Sequence, residues 1–131
     1  MKRLSRGVFL SCGFALAGQT CFCSMAAAQK DVEVDPHHKL EFENNCVRVV
    51  RANFGPHEKS PGLFDTKDAV IIDLTGSEGF KVTFPDGKSV TVPPKYAGQV
   101  SWARGGRIQP ENTSEARVEY IAIEPSGKPC N

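Results

Sequence analysis

The 131-residue chain is 40% hydrophobic and 24% charged with a formal net charge of +1, which is the composition of one globular domain. Sixteen basic residues against fifteen acidic ones leave no excess with which to neutralise a run of phosphates. Nucleic acid and anionic membrane surfaces are poor partners on these grounds.

The first thirty residues differ from the rest. "MKRLSR" is basic, "GVFLSCGFALAG" is apolar, and "MAAAQ" supplies small residues in an A-x-A pattern, an order that predicts a secretory signal peptide over residues 1–28. The apolar run falls short of the roughly 20 residues that cross a bilayer. "ALAGQTC" resembles a lipoprotein cleavage site, but Gln19 and Thr20 separate its small residues from Cys21. Cleavage after Ala28 removes Lys2, Arg3 and Arg6, leaving 13 basic residues against 15 acidic ones and a net charge of −2. The expected product is a periplasmic or secreted domain over residues 29–131 with no membrane attachment.

Cleavage also removes Cys12, Cys21 and Cys23 and leaves Cys46 and Cys130. In an oxidising compartment these two either pair as a disulfide or remain as one thiol in a strand and one on a loose tail. Without a C-x-x-C or nearby His spacing they give no zinc signal.

After residue 30 nothing has the period of a long amphipathic helix. Short β-branched and aromatic runs recur about every ten residues with turn residues between them. They predict strands at "KLEFE" (39–43), "VRVVRANF" (47–54), "AVIIDL" (69–74), "FKVTF" (80–84), "SVTV" (89–92), "QVSWA" (99–103) and "RVEYIAIE" (117–124). In "FKVTFPDGKSVTV", Asp86-Gly87 tolerates positive φ and marks a hairpin, with Phe80, Val82, Phe84, Val90 and Val92 expected on its core face. "AVIIDL" and "EYIAIEP" are apolar on both faces, as strands between layers are, whereas Arg48 and Arg51 suggest a wetter edge. Seven or more short antiparallel strands suit an all-β sandwich or small barrel, closed by a loose "PSGKPCN" tail.

Three segments carry a resemblance: "EFENNCVRVVRANFGPHEKSP", "KVTFPDGKSVTV" and "AGQVSWARGGRIQPENTSEARVEYIAIEP". Together, over about residues 37–125, they resemble the small single-domain cupins of the RmlC-like jelly-roll type. The resemblance implies a double-stranded β-helix, a small antiparallel jelly-roll barrel. In many such proteins the barrel holds a divalent metal through an H-x-H, a carboxylate or amide, and a third His.

Laid on that pattern, Gly98, Gly106 and Asn112 match. The ligand positions do not: Leu63 and Asp65 stand where H-x-H is expected, Ile108 stands for the third His, Arg104 replaces a proline, and Ala69, Val70 or Ile71 falls at the carboxylate. One remaining ligand, Asp65, is too few for a transition-metal site, so neither metal nor cofactor is expected. His57 is expected on an exposed loop, and His37 and His38, adjacent on a strand, as a surface pair pointing to opposite faces. No G-x-S-x-G, G-x-G-x-x-G or P-loop occurs, and Cys46 has no local base.

Two functions remain. The first is an exported, non-catalytic cupin-like module binding a small molecule or a protein partner at the barrel mouth. Leu63, Asp65, Ile108, Gln109 and Trp102 are its pocket candidates, although Trp102 is more often simply a core residue. The alternative is a metal-dependent cupin enzyme with a rearranged site built from Asp65, His57, Glu58 or Gln109. An exposed edge strand would also allow a homodimer.

Overall fold

Alternation along two eight-residue strands builds the centre of the molecule. The structure, a computed structural model, describes residues 35–130; the expected signal peptide, with Cys12, Cys21 and Cys23, lies outside the described residues. Nine strands follow in chain order: β1 (His38–Glu43), β2 (Val47–Phe54), β3 (Phe64–Thr66), β4 (Ala69–Asp73), β5 (Phe80–Thr83), β6 (Ser89–Val92), β7 (Val100–Ala103), β8 (Gly106–Asn112) and β9 (Val118–Pro125). The described residues contain no helix. All pairings are antiparallel, in a five-stranded sheet ordered β1-β2-β9-β4-β7 and a four-stranded sheet ordered β3-β8-β5-β6. The architecture is an all-β antiparallel jelly roll.

β2 and β9 pair over their full length, with Arg48 opposite Glu124, Val50 opposite Ala122, Ala52 opposite Tyr120 and Phe54 opposite Val118. Side chains two apart share a face, so these rungs line the interior. At one end Ala52, Phe54, Phe80 and Val118 are buried together; further along, Val50, Ala69 and Ala122 are; Tyr120 packs against both groups. Phe54 is fully buried, edge-on to Phe80 at 5.4 Å and stacked on His37 at 4.4 Å. The expected surface histidine pair is therefore corrected. Both rings are mostly buried, because Phe54 and Tyr120 reach them from distant parts of the chain.

β3 and β8 escape prediction for local reasons. β3 is three residues long, and "GRIQPEN" carries three turn formers, Gly106, Pro110 and Asn112, and two charges, Arg107 and Glu111, where alternation would be read. Pro110 is tolerated because β8 divides its pairing: residues 106–108 bond β3 and residues 109–112 bond β5. Asn112 ends β8 fully buried. Its Nδ2 donates to the carbonyls of Gly55 at 2.8 Å and Ala116 at 2.7 Å, and its Oδ1 accepts from Ser114 N–H and Oγ–H.

The hairpin exists, with a different turn. Gly87 N–H donates to the Phe84 carbonyl at 2.9 Å, Pro85 and Asp86 are the central residues, and only Gly87 takes positive φ. Phe80, Val82 and Val92 pack on the core, but Phe84 and Val90, nearer the hairpin tip, are exposed. β2 is likewise not an edge, having β1 and β9 on its two sides, and its arginines are paired: Arg48 with Glu124 at 3.1 Å, Arg51 with Glu41 and Glu119. The tail returns to the β1–β2 turn, where Ser126 N–H donates to the Cys46 carbonyl and Cys130 is disulfide-bonded to Cys46 with a Cα–Cα separation of 5.0 Å.

Candidate functional site

Three alanines make room inside the barrel. Ala52, Ala69 and Ala122 occupy inward positions of β2, β4 and β9, where a larger residue would fill the space between the sheets. Beside the last two lies a cavity of 390 Å³, within the range of small-molecule pockets. Its walls are Val50, Ile71, Leu63, Phe64 and Ile108, with charged groups above and below this apolar band.

The inner polar group comes from the turn before β1. Asp35 Oδ1 accepts the His37 backbone N–H at 2.8 Å and stands 3.5 Å from His38 Nδ1. His38 Nε2 lies 3.2 Å from Tyr120 Oη. Asp35 Oδ2 and His38 Nδ1 are buried without a hydrogen-bond partner among the described residues. Burial holds the His38 imidazole below its ordinary pKa, with Asp35 pulling the other way. Burial, reinforced by Asp35 and Asp73, raises the Tyr120 phenol well above its usual value. At neutral pH this end of the cavity therefore presents a neutral imidazole and a neutral phenol beside Asp35.

The mouth is cationic. A side chain at Gly105 would place its Cβ 2.7 Å from the Lys67 carbonyl carbon, and Gly105 N–H donates to Asp68 Oδ1 at 2.6 Å. This close approach locks the β7–β8 turn against the β3–β4 turn and gathers Lys67, Arg104 and Arg107 beside Asp65. Among the described residues those three cations form no ion pair, whereas Arg48, also on the wall, is paired with Glu124.

A smaller cavity of 290 Å³ lies on the other side of Tyr120, lined by Phe80, Val92, Val118, Ser77, Asp73 and Lys95 among others. Asp73 is 6% exposed. Burial raises its pKa and Lys95 opposes the rise.

The sequence candidates divide. Leu63, Asp65 and Ile108 all border the larger cavity. Register, however, sets Phe64 opposite Ile108, and Phe64 lies 5.0 Å from the His38 ring, so the inward position on β3 belongs to Phe64 rather than to its neighbours. Gln109 borders neither cavity and donates to the Ser60 carbonyl at 2.8 Å. Trp102 is not core: it is paired with Val70 on the outward side of the sheet, 56% exposed, and touches only the smaller cavity. Asp35, His38 and Tyr120 were missed; the only signal was the unused His38.

The donor set does not fit a transition metal. Among the described residues no three His, Cys, Asp or Glu side chains are grouped to hold one. His57, with φ of 58°, pairs with Glu115 at 2.6 Å, and Glu58 accepts the Gly55 N–H at 2.6 Å. These two and Gln109 turn to separate partners, away from Asp65. The cavity offers one imidazole, with Asp35, Asp65 and Glu124 on its lining, and no three of these are grouped to hold an ion.

No protein-family model matches the sequence. No curated protein matches it either. Solved structures do. The chain is similar to a cupin domain from Bordetella pertussis Tohama I at 22% identity and a TM-score of 0.58, over 67% of this chain and 90% of that one. It is similar to a double-stranded β-helix protein from Klebsiella pneumoniae at 14% identity and 0.51, over 72% and 81%. An RmlC-like cupin from Methanocaldococcus jannaschii matches at 10% identity and 0.50, over 74% and 84%. Identities this low carry the fold alone, and on that ground the described domain is a cupin-type double-stranded β-helix.

Proposed function

We propose that the protein is an exported, non-catalytic cupin-like module that holds a small organic acid in the larger cavity. The observation that carries this is the mouth: Lys67, Arg104 and Arg107 line it beside Asp65 and, among the described residues, form no ion pair, with apolar walls behind them. Charge-assisted hydrogen bonds to a carboxylate are the strong contacts such a rim makes. An apolar body would then lie against Phe64 and Ile108, and a hydroxyl or carbonyl at the far end would meet His38 and Tyr120. Asp35 disfavours a second negative charge there, so a monoacid with a neutral polar end fits best.

Export is supported by the residues 1–28 pattern together with the Cys46–Cys130 disulfide, which belongs to an oxidising compartment. The non-catalytic part of the proposal is supported by Leu63 and Ile108, which leave Asp65 as the one remaining ligand type at the positions where the cupin resemblance places metal ligands. Thermal-shift assays with short aromatic and aliphatic carboxylates, each beside its amide, test the binding. The acids should raise the melting temperature and the amides should not, because a ligand bound at a hundred times its dissociation constant adds about 2.7 kcal/mol. Equal response to acid and amide, or none to either, would count against an anion site.

A further inference from the structure

The smaller cavity carries a charge that the fold does not use. Ala69, Ile71 and Asp73 take successive inward positions on β4, and register sets Asp73 opposite Tyr120, so an acid stands where the strand is otherwise apolar. Asp73 is 6% exposed, and its Oδ2 is buried without a hydrogen-bond partner among the described residues. Its backbone needs no help from the side chain: the N–H donates to the Gln99 carbonyl at 2.9 Å, and the carbonyl accepts from Gly98 N–H at 2.7 Å. A buried carboxylate without a partner is costly, and burial accordingly raises its pKa. An orphan of this kind asks for a partner from outside the chain.

Lys95 is the other charged residue on the lining. Its backbone is bridged to Ser77 by two hydrogen bonds, of 2.9 and 2.8 Å. Gly76 permits the approach: its φ is 70°, and a Cβ there would lie 2.7 Å from the Lys95 carbonyl oxygen. The turn after β4 thus fixes the Lys95 segment at the cavity wall. Lys95 opposes the rise in the Asp73 pKa, yet it forms no ion pair among the described residues. Two opposite charges therefore border one cavity without meeting, and Phe80, Val92 and Val118 supply its apolar wall.

We propose that the smaller cavity binds a zwitterion of the α-amino acid class with an aliphatic side chain, its ammonium on Asp73 and its carboxylate on Lys95. An amine alone would meet Asp73 and be repelled by Lys95; a carboxylate alone would meet Lys95 and be repelled by Asp73. A molecule bearing both charges satisfies both, through the charge-assisted hydrogen bonds that are the strong ones. Its side chain lies on Phe80, Val92 and Val118. The volume of 290 Å³ restricts the ligand to a small one. This site is separate from the larger cavity, because Tyr120 stands between the two and turns its hydroxyl to His38, at 3.2 Å.

Isothermal titration with L-valine tests it, beside isobutylamine and isovalerate, which are valine without its carboxylate and without its amine. The titrations are run on the wild type and on the double variant Arg104→Gln, Arg107→Gln, which removes the cationic rim of the larger cavity. Valine should bind saturably at one site per chain with the same affinity in both proteins. In the arginine variant the amine and the acid should each bind at least about tenfold more weakly than valine, and Asp73→Asn and Lys95→Gln should each weaken valine by at least as much. Lys95→Gln, at a half-buried side chain, carries the test if Asp73→Asn does not fold. No binding of valine up to its solubility limit, equal binding of the amine or the acid, or binding indifferent to the changes at Asp73 and Lys95 overturns the proposal. Binding lost with the two arginines instead places valine in the larger cavity and overturns it as well.

Discussion

The two faces of the five-stranded sheet reverse the usual assignment. The inner face, which ought to be uniformly apolar, carries Asp35, His38, Tyr120 and the Arg48–Glu124 pair around a cavity framed by alanines. The outer face, which ought to be polar, carries an aromatic and aliphatic band. Each is an unfinished surface. Buried polar atoms without partners and exposed apolar rows are both unfavourable in an isolated domain, and a bound molecule relieves each of them.

The difference can be broken at several points, of which the largest lies at the end of the sheet where the inner cavity opens. Cys46 and Cys130 close a loop of 84 residues in sequence separation. Replacing both with serine should cost about 4–5 kcal/mol on the chain-entropy estimate, read as a lower urea midpoint for unfolding. The disulfide lies two residues before Arg48, which lines the inner cavity, so ligand binding should weaken as well. A ligand affinity unchanged by the replacement would show that the tail does not order this end of the cavity.

Asn112→Ala comes next. It strands the Gly55 and Ala116 carbonyls and removes the acceptor for Ser114. Loss of about 3 kcal/mol is expected, again by urea unfolding.

Tyr120→Phe is smaller, about 1 kcal/mol for one hydrogen bond to His38. The change is confined to the inner face, where affinity for the acid should fall.

The smallest effect is the pH dependence of stability. His38 has a folded pKa below its unfolded one because burial disfavours the imidazolium. The unfolded chain therefore binds more protons, and this contribution is fully present above the unfolded pKa, near 6.5, and lost as pH falls through the lower folded value. Asp73 has the opposite sign: its folded pKa is raised, so its contribution is present below the unfolded value of 3.8 and lost as pH rises through the folded one. His38→Gln should flatten the stability curve just below pH 6.5, measured by thermal melts across the pH range, and a slope there identical to wild type would rule His38 out as its source.

The sequence disclosed the strands whose partners share a strong alternation, such as β2 and β9, and the resemblance supplied the barrel. It also disclosed, in "AVIIDL" and "EYIAIEP", that both faces of the sheet are apolar. The expected second layer over the outer face is absent among the described residues, since all nine strands are used in the two sheets. β8 was hidden because Pro110 and Gly106 read as turns until the division of its pairing is seen. The inner site was hidden for a different reason. His38 becomes part of it only through Tyr120, 82 residues away, and Asp35 only through a turn with no hydrophobic pattern. Phe64 in place of Leu63 and Asp65 at the inward position of β3 is a register fact, decided by pairing with Ile108.

Isothermal titration of chelator-treated protein with a carboxylate that raises its melting temperature tests most directly whether the barrel binds without a metal. Saturable binding at one site per chain is predicted, unchanged by the chelator and weakened at least about tenfold, or 1.4 kcal/mol, by the double change Arg104→Gln and Arg107→Gln. Binding that appears only after a divalent transition metal is added, and that survives loss of both arginines, would contradict it.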